Sequence, residues 1–161
     1  MEGLLLAAAQ WLDAVGVGPW ARGSGIVYPV ANTLHLLGLV MLVGGIGVVD
    51  LRIAGLWRTI PVEPLSRALT RVAILGLIVM VASGSVLLAA DGRTLAGSHV
   101  FHCMLVVIGV ALANAAAFRW IWGDRIGGWL GQVPVAARVM AMLSIALWLT
   151  AAALGRWIAY S

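Results

Sequence analysis

IVYPVANTLHLLGLVMLVGGIGVVDLR, residues 26–52, decides the fold. From Ile26 to Val49 it holds no Asp, Glu, Lys or Arg. As a helix this run is ~36 Å long at 1.5 Å per residue, enough to cross the ~30 Å hydrocarbon core of a bilayer. Pro29 falls in the first turn, where a backbone N–H would lack a partner anyway. Gly44, Gly45 and Gly47 would weaken a helix in water and are ordinary where membrane helices pack. Asp50-Leu51-Arg52 closes the span.

The rest of the chain extends the same pattern. Of its 161 residues 63% are hydrophobic and only 10% charged, and the mean hydropathy is +1.06. A soluble domain is usually ~25% charged. There is too little polar surface here to cover a water-soluble globule, which excludes a cytosolic enzyme, a disordered tail and a small secreted scaffold. The length allows about four spans with short connections. The expected fold is an all-α, integral membrane four-helix bundle in one domain, residues 1–161. Its spans are expected at about 26–49, 69–90, 98–120 and 135–157. Residues about 2–17, with Leu4, Leu5, Ala8, Trp11, Leu12 and Val15 at helical spacing, are expected to form an interfacial amphipathic helix. Gly16, Gly18 and Pro19 end it, and it makes a poor signal peptide. Asp91-Gly92-Arg93 reads as a turn, and a Trp- and Gly-rich link from Trp122 to Pro134 joins the last two spans.

All ten basic residues are Arg, and the net charge is +4. They sit between apolar runs, so topology and anionic lipid explain them better than nucleic acid. Arg52, Arg58, Arg67, Arg71, Arg119, Arg125 and Arg138 fall on one side of the membrane, and Arg22, Arg93 and Arg156 on the other. The positive-inside rule puts the seven in the cytoplasm and both termini outside. The lone Cys103 allows no intrachain disulfide.

Ionisable groups inside spans are costly and are functional candidates by default. His35 lies seven residues inside Tyr28, or ~10 Å, and His102 about four residues into the third span, or ~6 Å. Both spans enter from the outer side, so the two imidazoles share the outer half of the membrane on different helices. That is the arrangement a six-coordinate b-type haem needs. Gly38 on the first span, Gly76 and Ser83 on the second, and Gly109, Ala113 and Ala116 on the third leave room for a flat macrocycle. Arg22, Arg93 and Arg156 stand where propionates would emerge. Asn32 precedes His35 by three residues and is a candidate partner for the second ring nitrogen. The same residues admit other readings. Small faces are also plain packing seams. His99 and His102 share a helical face, and with His35 they would make a copper or zinc site. Asp50 would pair with an Arg such as Arg119 and fix helix rotation. Asn114 would hydrogen-bond a neighbouring helix.

Tyr28-Pro29, His35-Leu36-Leu37-Gly38, Gly44-Gly45, Asp50-Leu51-Arg52 and Gly55 together resemble the signature of an uncharacterised family of small bacterial four-helix membrane proteins. Trp11-Leu12 and Ala82-Ser83-Gly84 fit it too. The resemblance implies the four-helix fold and singles out Tyr28, Pro29, His35, Gly38, Asp50, Leu51 and Arg52. It brings no activity with it. In architecture alone the chain is also similar to four-helix b-type cytochromes and copper-resistance membrane domains.

Three functions therefore stay open: a redox protein with one b haem, an accessory subunit held in a larger complex or homo-oligomer by helix contacts, and a metal-handling protein or small transporter. A single haem near the outer face does not bridge ~30 Å of hydrocarbon. Its expected partners are a quinone or a periplasmic electron carrier.

Overall fold

The computed structural model describes residues 1–129 and 133–160, with the side chains of residues 93 and 159 left out. Six helices run in order: α1 (Glu2–Ala14), α2 (Val17–Gly23), α3 (Val27–Ala54), α4 (Val62–Gly97), α5 (His99–Trp122) and α6 (Val135–Trp157). Short 3-10 turns follow α5 (Ile126–Gly128) and α6 (Ile158–Tyr160). Among the described residues there is no strand. Helices α3 to α6 are each long and apolar enough to cross a membrane.

Local chemistry sets the ends. Pro61 and Pro134 stand in extended conformation just before α4 and α6. The Ser98 hydroxyl accepts the Phe101 N–H at 3.3 Å and caps α5. Gly55 ends α3 at φ 124°, a conformation open to glycine. Beyond it, Arg52 folds back: its Nε–H donates to the Ile60 carbonyl at 2.6 Å and Nη2 to the Arg58 carbonyl at 3.0 Å.

Two boundaries differ from the sequence expectation. Helix α4 starts near Val62, not Leu69. Glu63 favours a first turn and bonds Arg67 one turn on at 2.6 Å, so the polar stretch is helical. At its other end Asp91-Gly92-Arg93 is not a turn. Asp91 departs from helical geometry (φ −117°, ψ 20°) and α4 runs on to Gly97, kinked rather than broken. The expected single N-terminal helix is two, hinged at Gly16 with φ 86°. Both pack on the far end of α4, where Gly92 lies close to Ala9. Leu4 and Trp11 remain exposed on α1 beside Gln10 and Asp13, so its free surface is not a polar face.

Helices α3 and α4 are antiparallel and closely packed, α6 packs on α3, and α5 packs on α6. Helices α4 and α5, joined through Ser98, make little contact, and α3 and α5 are not packed on each other. Trp148 of α6 sits in one cluster with Leu42 of α3, Ala73 of α4 and Ala111 of α5, tying all four spans together. A second cluster, Val49, Ile53, Val62, Ile126, Val133, Ala137 and Ala141, closes the end away from the termini. The buried positions are largely Ala, Gly and Ser, and large residues such as Val40, Ile78, Val81, Val106 and Leu149 face outward. Small residues inside and large apolar residues outside are the pattern of helices packed in lipid.

Candidate functional site

His35 points from α3 at α4. Its Nδ1 lies 3.1 Å from the Ser83 Oγ. Ser83 is buried, and its one hydroxyl proton is directed to the Val79 carbonyl at 2.6 Å. The Ser83 oxygen must therefore accept, so Nδ1 carries the imidazole hydrogen and Nε2 keeps its lone pair. Gly84 makes this possible: a Cβ there would lie 3.2 Å from His35 Cε1. The Ala82-Ser83-Gly84 stretch carried this signal in the sequence. Asn32, the candidate partner by spacing, is exposed, and Ser83 takes the role.

His102 is half-buried on α5, and its Nε2 is buried without a hydrogen-bond partner. His99, one turn away, is exposed, with its ring edge-on to His102 at 6.4 Å between centroids. Depth can be measured from the shared Trp148 layer. His35 is seven residues from Leu42, ~10 Å, and His102 nine residues from Ala111, ~14 Å, both toward the terminal end. The two imidazoles so lie within about one turn of the same level. Among the described residues no group of three or more His, Cys, Asp or Glu is placed to hold a metal ion, so the three-His arrangement is not assembled.

The small residues have different jobs. Gly38 and Gly76 are the crossing point of α3 and α4: a Cβ on Gly38 would stand 2.8 Å from the Gly76 carbonyl, and one on Gly76 2.7 Å from the Gly38 carbonyl. Gly45 repeats the contact two turns on, against the Leu69 carbonyl at 2.9 Å. Gly109 faces open space.

Arg22 donates to the Ala89 carbonyl at 2.7 Å and to Asp13 at 2.8 Å. It pins α1 and α2 to α4 and borders a cavity of about 400 Å³ with Asp13, Asp91, Gln10 and Thr94. Arg156 bonds the Tyr160 hydroxyl. The Arg93 side chain lies outside the described residues. At the other end the Asp50–Arg119 pair does not form. Asp50 is buried against Ser144 of α6, and Arg119 is exposed. Asn114 does reach a neighbouring helix, donating to the Met140 carbonyl at 3.1 Å. Spacing alone missed Ser144, because an isolated Ser in an apolar helix announces no partner.

No family model, curated protein or solved structure matches this chain.

Proposed function

We propose that this chain is a redox protein, or a subunit of a redox complex, of the bacterial inner membrane, holding one b-type haem between His35 and His102. The observation that supports this reading is a pair of imidazoles on two spans whose positions, counted along the helices from the Trp148 layer, fall within about one turn of each other. The buried His102 Nε2 has no protein partner, and the Ser83 bond leaves the His35 Nε2 lone pair free. Neutral imidazole nitrogens are what a haem iron takes, and a hydrogen-bonded Nδ1–H is the usual orienting contact of such a ligand. The group would supply reversible one-electron storage. The protein's part is to fix the His35 tautomer through Ser83 and to seal the bundle beneath with the Trp148 layer. Gly38 and Arg22 are committed to packing and to the N-terminal helices, so neither is assigned to the macrocycle. The seven-to-three Arg imbalance puts the site in the outer half, with α1 and α2 at the outer interface. Electron exchange then runs with a quinone or a periplasmic carrier. The family resemblance in α3 is part of the same proposal, and it brings no activity to it.

Absorption spectra of the purified protein, oxidised and dithionite-reduced, test this. We expect a low-spin haem spectrum that His35→Ala and His102→Ala abolish or convert to a weakly held five-coordinate form, and that His99→Ala retains. Absence of a Soret band in protein expressed with haem available overturns it.

A second reading rests on α5, which has 6% of its span buried against 22–28% in the other three. Such a helix suits an accessory subunit whose partner, another membrane subunit or a second copy, covers it. A colourless protein that co-purifies with a membrane partner through α5 would support this reading.

A further inference from the structure

Asp50 plays no part in the haem reading, and its surroundings pose a separate problem. It is 6% exposed on α3, and its partner Ser144 is 4% exposed on α6. Ser144 continues the face of α6 that carries Ala137 and Ala141, both within the apolar cluster that includes Val49 and Ile53. The protein itself excludes water here, whatever the depth of the residue in the bilayer. The Ser144 hydroxyl is the one polar group that α6 sets against the carboxyl group. The second oxygen, Oδ2, is buried and has no hydrogen-bond partner.

Among the described residues no cation forms an ion pair with this carboxyl. Among the described residues the ion pairs are Asp13–Arg22 and Glu63–Arg67. Arg52, two residues along α3, is directed to the Ile60 and Arg58 carbonyls. At this end of the packed elements the other charged groups are Arg138 at the start of α6 and Glu63, Arg67 and Arg71 at the start of α4. Arg119 at the end of α5 and Asp124 and Arg125 in the link complete the set. None forms an ion pair with Asp50. A carboxylate buried in an apolar surrounding with one oxygen unpartnered is far more costly than a neutral carboxyl with one unmet hydroxyl. A positive charge must therefore be supplied. A hard metal cation needs a shell of oxygen ligands, and this site offers two carboxyl oxygens and one hydroxyl. A proton needs one lone pair, and Oδ2 has it.

We propose that Asp50 and Ser144 form a buried proton-binding site in the half of the bundle away from the termini. The carboxylate takes one proton from water at that end, forming the O–H bond on Oδ2, while Ser144 holds the other oxygen. Protonatable carboxyls within spans are the usual stations of proton relays.

Infrared difference spectroscopy of the full chain in lipid vesicles at neutral pH tests this, with wild type, Asp50→Asn and Ser144→Ala compared in water and in D2O. The wild type is expected to show the C=O stretch of a protonated carboxylic acid. That band shifts in D2O, vanishes in Asp50→Asn and moves to higher frequency in Ser144→Ala. An ionised carboxylate as the sole Asp50 signal overturns the proposal. So does a protonated band that emerges only when sodium is replaced by choline, which would mark a cation site. Should Asp50→Asn not assemble, isotope-labelled aspartate in wild type and Ser144→Ala carries the same test: the band must be present and must respond to Ser144.

Discussion

At the scale of single residues, polar groups inside this bundle are defined by who answers them. His35 has an acceptor on another helix. Ser83→Ala would remove the acceptor of the ring N–H, and an unmet buried donor costs roughly 1–3 kcal/mol. We expect Ser83→Ala to lower unfolding stability in detergent by about that amount. Ser85→Ala, which removes only a bond to the Val81 carbonyl of its own helix, should change little. Equal losses from both would show that the His35–Ser83 bond contributes nothing of its own. Arg52 is the other heavily answered residue. It is 3% exposed and holds the α3–α4 connection by two carbonyls. Arg52→Gln should therefore cost assembly yield while leaving the spectrum of any bound haem unchanged. Loss of cofactor at normal assembly would refute that separation.

At the scale of elements, the α3–α4 pair is set by three glycines and one alanine, Gly38, Gly45, Gly76 and Ala73. Side chains added at the crossing meet backbone, which cannot move aside. Gly38→Leu and Gly76→Leu should each destabilise the protein by at least the ~1–3 kcal/mol usual for overpacking, read as lost monodisperse protein on gel filtration. Gly44→Ala and Gly109→Ala face open space and should be neutral or slightly stabilising, because Ala is the better helix former. A normal Gly76→Leu protein would mean that α3 and α4 cross elsewhere. The N-terminal helices are a looser attachment. Their Arg22–Asp13 pair is half-exposed, and exposed pairs contribute little. Arg22→Ala should increase proteolytic cutting between α2 and α3 without unfolding the spans. This separation of rigid spans from a pinned strap was only partly legible in the sequence: Gly16 and Pro19 marked a boundary, but nothing local told that Ala89 would receive Arg22.

At the scale of the whole molecule, the antiparallel pairings bring the C-terminal end of α6, the start of α3 and the α1–α2 pair to one end of the bundle. The Arg distribution predicts that this end is outside. A reporter active only in the cytoplasm, fused after Ser161, should be silent, and a periplasm-dependent one active. The reverse result would turn the molecule over and move His35 and His102 to the inner half. The order α4, α3, α6, α5 also leaves α4 and α5 apart, so their mutual faces are open to lipid, to a cofactor edge or to another subunit.

Four helices long and apolar enough to cross a membrane were legible in the sequence alone, because length and apolarity of a run suffice for that and need no partner. The sequence also marked His35 and His102 as ionisable groups in spans. Helix packing set the rest: His35 takes Ser83 and not Asn32, Gly38 and Gly76 make a crossing, and Asp50 is buried beside Ser144 without an ion pair to Arg119. These outcomes depend on how each helix is turned about its axis and which neighbour it faces. In a chain apolar on nearly every side of its spans, periodicity does not distinguish the inner face from the outer one. Close packing of small residues chose the faces, and the polar partners followed from that choice.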